Sequence, residues 1–214
     1  MSAQTRWGRV VAVGVEGHRD VVEALGLPSA DAPAEGDFVL GEREGRLDLR
    51  PPGEGDRPGV VARFPPDRDR ARGGRRPLVR AFGPGIDRIL DLTAGFGADA
   101  YRLADAGRRV LACERDPAVF AVLATGWHRD LADGRVPGEV ASRLEFRHAE
   151  GMDVLCGIDA PGLGVYLDPM YPSARRGRAL PRRALQVLRG ARRAERELER
   201  GAVSSVLPER GAVS

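Results

Sequence analysis

Asp168-Pro169-Met170-Tyr171-Pro172 gathers an acid, two prolines and an aromatic ring into one short stretch. An exocyclic amine on an aromatic base delocalises its lone pair into the ring and is a poor nucleophile. A carboxylate, helped by nearby backbone carbonyls, can accept hydrogen bonds from that amine and hold it near tetrahedral geometry, aimed at an electrophilic methyl group. Proline restricts the dihedrals of such a loop, and a ring such as Tyr171 can stack on the base. Asp168, Pro169 and Tyr171 are therefore the candidate catalytic residues.

Far upstream, Asp91-Leu92-Thr93-Ala94 leads into Gly95-Phe96-Gly97-Ala98-Asp99-Ala100, a G-x-G-x-x-A match at an expected strand-to-helix turn. Glycines let backbone approach a ligand, and a helix N-terminus offers free N–H donors and positive potential. Dinucleotide enzymes use the same turn. Asp91, just ahead of the first glycine, suits a cationic amino-acid group better than a pyrophosphate, which it would repel. Glu114 ends the next expected strand, where an acid can accept hydrogen bonds from both ribose hydroxyls of an adenosine cofactor. NAD and S-adenosylmethionine share that feature. Arg115 could cover an adenine face, or simply be solvated. In His148-Ala149-Glu150-Gly151-Met152-Asp153, Glu150 is the candidate for the adenine amino group, and His148 reads as a strand-end surface histidine. No residue spacing suggests a metal site.

Alternating strands and helices from Ile86 onward would position these residues, the pattern of a parallel sheet covered by helices. Ile89-Leu90 predicts the first strand. Ala100, Leu103 and Ala104 recur at helical spacing after Ala98 and stop at Gly107. Val110–Cys113 predicts the second strand, and Asp116-Pro117 a helix start with Asp as N-cap. Leu144–Phe146 and Gly164–Leu167 complete the set.

The first part of the chain reads as a small α+β lobe. Its expected elements are a strand over 7–15, a helix around 20–25, a hairpin from Phe38–Leu40 through Glu44-Gly45 to Leu47–Leu49, and a strand over 60–64. Leu47 and Leu49 alternate with polar neighbours, which suits a half-buried strand. His18 reads as a surface histidine. Pro65 to Arg76 reads as an exposed linker, followed by a short amphipathic helix through Leu78, Val79 and Phe82.

At 214 residues, 42% of them hydrophobic, the chain can bury a core of ordinary size. All 34 basic residues are arginine. Residues 63–80 carry seven Arg against two Asp, and residues 175–200 ten Arg against three Glu. Such clusters fit a phosphate-rich partner or a solvated, ion-paired helix face. Cys113 and Cys156 lie in apolar, strand-like contexts and read as buried small hydrophobes in a reducing compartment. The N-terminus lacks an apolar core of signal-peptide length and no run approaches a membrane span, so the expected location is the cytoplasm. Glu199–Ser204 recurs as Glu209–Ser214, a low-complexity ending without an identifiable packed element.

Residues 86–172 resemble class I S-adenosylmethionine-dependent methyltransferases with a D/N-P-P-Y-type motif. More closely they resemble the RsmJ family, which methylates the 2-amino group of a guanosine in small-subunit (16S) ribosomal RNA. The residues that carry the likeness are Asp91–Gly97, Glu114–Pro117 and Tyr166–Pro172, including the methionine between Pro169 and Tyr171. Arg70 to Gly83 is similar to the family's basic segment and short helix, and Ala179 to Leu188 to its basic helix after the catalytic loop. The likeness covers about residues 59–190. It implies cofactor contacts at Ala98 and Asp99, at Glu114 and Arg115, at Glu150 and Gly151, and at Asp168, beside the cofactor-binding candidates Asp91, Gly95 and Gly97 read from the glycine turn itself. Ala98 stands where the family usually has arginine, so it would contribute through its backbone alone.

The expected fold is α/β, a class I methyltransferase (Rossmann-like) parallel-sheet domain with a small N-terminal α+β lobe. The family's C-terminal strands would be missing or replaced by the arginine-rich tail. The expected organisation is a lobe and linker over 1–75, the S-adenosylmethionine-dependent domain over 76–190 and a basic tail over 191–214. The expected partner is ribosomal RNA or the small ribosomal subunit, with no metal and no membrane. Two other readings stay open: a non-catalytic RNA-binding remnant and an NAD-dependent oxidoreductase.

Overall fold

The computed structural model describes residues 9–66, 75–158 and 162–168. Pro169, Met170, Tyr171 and Pro172, the second arginine cluster and the terminal repeat lie outside the described residues.

The N-terminal elements are β1 (Val10–Ala12), a 3₁₀ turn (Glu16–His18), α1 (Arg19–Ala24), β2 (Phe38–Arg43) and β3 (Arg46–Arg50). β1 runs parallel to β2, and β2 pairs antiparallel with β3. The hairpin turns at Glu44-Gly45, both with positive φ, as a two-residue turn between twisted strands requires. β1 ends at Ala12, although the Val13 N–H still donates to the Leu40 carbonyl, and Gly14 follows with a φ of +62°.

Three departures from the sequence pattern stand out in this region. The stretch 60–64 is not a strand: only Val60 pairs, in an isolated bridge with Leu49. Beyond it, distant side chains take the backbone groups that a ladder would use. The Ala62 carbonyl accepts from Arg46 and the Phe64 N–H donates to Asp130. Nor do the polar residues of β3 face solvent. Arg46 and Asp48 are as buried as Leu47 and Leu49: Arg46 reaches Asp130 of a long helix of the second sheet, and Asp48 accepts the Gly59 N–H. His18 is likewise half-buried, with Nδ1 3.3 Å from a Glu42 carboxylate oxygen.

The second sheet contains β4 (Arg88–Asp91), β5 (Arg109–Glu114), β6 (Leu144–His148) and β7 (Leu163–Tyr166). These are interleaved with α3 (Ala98–Asp105), α4 (Pro117–Ala132), α5 (Gly138–Ala141) and α6 (Gly151–Cys156), and α2 (Arg75–Ala81) precedes them. All four strands are parallel in the order β6-β5-β4-β7. α4 starts as its sequence dictates: Asp116 caps the Ala118 and Val119 N–H groups, and Pro117 occupies the first turn. Cys113 is buried on β5, and burial pushes its thiol up to about 11. Cys156 is a correction. It is the exposed last residue of α6, because the apolar residues of that helix that pack on the sheet are Val154 and Leu155.

One apolar core joins the two sheets. Val10, Leu40, Leu47 and Leu49 belong to the same cluster as Ile89, Leu103, Val122 and Leu123. Phe64 sits at the join, with its ring 5.1 Å from Trp127, 5.7 Å from Tyr101 and 5.8 Å from Phe146. Beside it, buried Arg46 grips Asp130 of α4 through two hydrogen bonds of 3.1 Å. The Phe64 N–H and Arg135 complete the coordination of that carboxylate. Burial alone would push Asp130 up. The hydrogen bonds and charge of Arg46, the Phe64 N–H and Arg135 outweigh it and hold the carboxyl below its ordinary range. Among the described residues, no helix is long and apolar enough to cross a membrane.

Candidate active site

Strand order reverses at β4: the chain steps to β5 and β6 on one side, then returns to place β7 on the other. In open parallel sheets, ligands bind in the crevice beyond the carboxyl ends of strands at such a switch point. Asp91 ends β4 and Tyr166 ends β7, and they are paired in register. The rim therefore carries the residues that the sequence singles out.

The segment after β4 is wedged between its neighbours. Leu92 N–H donates to the Tyr166 carbonyl and Ala94 N–H to that of Cys113. Gly95 and Gly97 then take φ values of +56° and +78°. Gly97 ends this turn as the N-cap of α3, whose first turn carries Ala98 and Asp99. Glu114, at the end of β5, accepts the Gly95 N–H through Oε2 at 2.9 Å. Its other oxygen accepts the Asp116 N–H, also at 2.9 Å. The two glycines have different surroundings. A Cβ on Gly95 would meet only the Thr93 carbonyl, at 4.0 Å, whereas one on Gly97 would lie within 3 Å of Leu123, Phe146 and Phe64. Gly95 is thus the open side of the cradle, and Gly97 closes onto the core.

Asp168 is brought to the same rim. Its N–H donates to Thr93 Oγ1 at 3.0 Å, two residues before Gly95. Asp91 lies beneath, 1% exposed, with Oδ1 accepting the Thr93 N–H at 2.9 Å. Burial pushes its carboxyl up to about 7; the Thr93 N–H pulls it down, while the charges of Asp99, Glu114 and Asp168 raise it further. Such a set of carboxylates would favour a cationic group over an anionic one.

Glu150 and Arg115 meet each other at 3.0 Å, both partly exposed, at the outer end of the rim. His148 is exposed, as expected, with Nε2 3.1 Å from the Arg115 carbonyl. Gly151 begins α6 so close to Leu92 that an added Cβ would lie 2.7 Å from its Cα and carbonyl oxygen. Glu150 is thereby held near the turn that follows β4.

Sequence alone assigns no role to two residues of the site. Thr93 carries the Asp168 backbone. Tyr166 donates its hydroxyl to Asp99 Oδ2 at 3.0 Å, and Arg102 holds the other oxygen of that carboxylate. Burial, then the charge and hydrogen bond of Asp99, push the Tyr166 phenol above its ordinary range, so it stays a donor. The available signals were a hydroxyl residue inside the turn and a tyrosine one register step beyond the acid's neighbour. Pro169 and Tyr171 lie outside the described residues. Among those described, no group of His, Cys, Asp or Glu is arranged to hold a metal ion.

Residues 23–199 match the model of a family described as "Putative SAM-dependent methyltransferase". Relatives named Ribosomal RNA small subunit methyltransferase J, from Escherichia coli (strain K12 / DH10B) and Klebsiella pneumoniae (strain 342), are each 39% identical over 99 residues. The aligned stretch is 46% of this chain and 39% of theirs. The chain thus matches well under half the length of these curated relatives. A solved structure, the SAM-dependent methyltransferase NGO1261 from Neisseria gonorrhoeae, is similar with a TM-score of 0.61 and 28% identity. That match covers 77% of this chain and 71% of the other.

Proposed function

The chain belongs to the SAM-dependent methyltransferase family, and from that premise we propose that it methylates the exocyclic 2-amino group of a guanosine in small-subunit ribosomal RNA. The observation that carries this reading is the Asp168–Thr93 hydrogen bond, which joins the candidate base-binding acid to the turn beside the cofactor cradle.

The residues present fit S-adenosylmethionine. That cofactor carries an ammonium and a sulfonium, and the charges of Asp99, Glu114 and Asp168 act together on Asp91 at the foot of the turn, where a cation would relieve their repulsion. A pyrophosphate would be repelled there, which argues against the NAD reading. Gly95 leaves the cradle open where backbone must approach a ligand. Glu114 ends β5 beside the glycine turn, where its carboxylate would meet the ribose hydroxyls. Arg115 and Glu150, ion-paired at 3.0 Å, would meet the adenine. When bound, the cofactor supplies a methyl group activated by the positive sulfur.

This chain's residues orient the acceptor. Asp168 accepts a hydrogen bond from the amine and then its proton, and Tyr171 stacks on the base. No covalent intermediate with the protein is needed. Positioning of this kind contributes up to roughly 7–11 kcal/mol in well-oriented reactions. Extruding a paired base costs on the order of a few kcal/mol, which stacking at ~1–3 kcal/mol per base largely offsets. The arginine clusters hold phosphate, so RNA binding weakens steeply with salt.

The test is tritium transfer from labelled S-adenosylmethionine to ribosomal RNA and to small subunits, with the modified nucleoside identified by mass spectrometry. N2-methylguanosine is expected. Salt-sensitive RNA binding without methyl incorporation at saturating cofactor would favour the binding-remnant reading. Asp168→Ala should abolish transfer and leave cofactor binding largely intact; equal activity in both proteins refutes the role given to Asp168.

A further inference from the structure

Tyr166 stands on β7, two residues before Asp168, and its hydroxyl crosses the switch-point crevice to Asp99 in the first turn of α3. The bond spans elements 67 residues apart in sequence. The Phe82 ring lies against the Tyr166 ring, with centroids 6.4 Å apart and planes at 65°. Arg102, one turn further along α3, takes Asp99 Oδ1. Both oxygens of that carboxylate are therefore held, one by the strand and one by the helix. On the same strand end, the Asp168 N–H is tied to Thr93. Beside the backbone bond from Leu92 N–H to the Tyr166 carbonyl, two bonds that use side chains fasten the acid-bearing end of β7 to the cofactor-side elements, one through Thr93 and one through Tyr166.

We propose that Tyr166 is a positioning residue for methyl transfer, which acts through Asp99 to fix the first turn of α3 against the strand end that carries Asp168. This rests on the methyltransferase reading and adds a residue to it. A tyrosine is suited to the task because its hydroxyl sits at the tip of a rigid ring with few rotamers. A phenylalanine in its place keeps the ring contact with Phe82 and removes only the tie to Asp99. The Asp99 carboxylate would then keep Arg102 but lose its reference to β7. The first turn of α3 would lose its side-chain tie to β7, while the β4–β7 ladder and the Thr93–Asp168 bond stay in place.

The test uses the full chain as wild type, Tyr166→Phe, Asp99→Ala and the double variant. S-adenosylmethionine affinity is measured by calorimetry, and hydrogen exchange of the α3 first turn is measured in cofactor-free protein. Tyr166→Phe is expected to weaken cofactor binding about tenfold, the loss of one hydrogen bond to a charged group. It should weaken binding no further in the Asp99→Ala background. In the cofactor-free protein it should speed exchange over residues 98–102 about tenfold, with a melting temperature close to wild type. Equal affinity and equal exchange in wild type and Tyr166→Phe overturn the positioning role alone. So does a Tyr166→Phe effect of undiminished size in the Asp99→Ala background. Failure of the wild type to bind S-adenosylmethionine overturns the methyltransferase reading, and this proposal with it.

Discussion

Glu114 holds the Gly95 N–H on one carboxylate oxygen and the Asp116 N–H on the other, so a single acid joins the glycine turn to the start of α4. The side chain proposed to meet the ribose is therefore also part of what shapes the cradle. Its replacement should damage cofactor affinity and local structure together.

Glu114→Gln keeps the length of the side chain but can offer only one accepting oxygen to the two N–H donors. Its amide NH₂ must face one of them. Loss of a hydrogen bond to a charged group costs about 1.5–3 kcal/mol, which predicts S-adenosylmethionine affinity lower by roughly 10- to 100-fold. Calorimetry on the purified variant measures this. Exchange of the Gly95 and Asp116 amides should rise as well, a local effect that loss of a ribose contact alone would not produce.

Asp91 makes the cofactor-free protein and the bound protein respond to pH in opposite directions. Its folded pKa of about 7 lies above the ordinary value of 3.8, chiefly through burial. The unfolded chain therefore releases this proton more readily. The stabilisation is fully present below pH 4 and is lost as pH rises through about 7, at about 1.4 kcal/mol per pH unit. Asp91→Asn should remove this slope and make the cofactor-free protein more stable than wild type at pH 8. A cationic ligand favours the ionised acid, so wild-type affinity for S-adenosylmethionine should tighten from pH 6 to pH 8. The asparagine variant should bind weakly at both. Thermal melts and titrations across this range would reveal either pattern.

The Arg46–Asp130 pair is buried on both sides, 2% and 1% exposed. Removing one partner leaves the other charge buried without compensation, a loss of about 3–5 kcal/mol. Arg46→Ala should therefore lower the urea midpoint sharply. Replacing both residues with apolar side chains of similar volume should cost less than either single change. Because Asp130 titrates below its ordinary range, its contribution is present above about pH 4 and fades as pH falls. The midpoint difference between wild type and Arg46→Ala should narrow in acid.

The same pair shows why part of the fold could be read from sequence and part could not. The Asp116-Pro117 helix start, the helical run after Ala98 and the Glu44-Gly45 turn are local signals, and each is set by residues within a turn of one another. The path of residues 60–64 is not local. Arg46 and Asp130, 84 residues apart, take the backbone groups at Ala62 and Phe64 that a strand would have paired. Period-two alternation in β3 marks a strand, as found, but not the burial of Arg46 and Asp48, whose partners Asp130 and the Gly59 N–H are distant in sequence. At the candidate site, the acids and glycines announced themselves by type and place along the chain. Thr93 and Tyr166 act only through contacts across the strand-order reversal, and nothing in either residue's immediate neighbours encodes that meeting.

Gly95 and Gly97 look equivalent in sequence, yet their surroundings predict different failures. Both have positive φ, so alanine at either position costs about 1 kcal/mol or more in backbone strain. At Gly97 the added methyl would also press on Leu123, Phe146 and Phe64 in the shared core. Overpacking there adds about 1–3 kcal/mol, and Gly97→Ala should be recovered mainly as poorly folded protein. At Gly95 the methyl would enter open space on the ligand side. Gly95→Ala should fold with a modestly lower melting temperature and lose most of its affinity for S-adenosylmethionine. Paired melting and binding measurements separate the two cases. Tight cofactor binding by folded Gly95→Ala would show that the ligand does not approach the turn from this side.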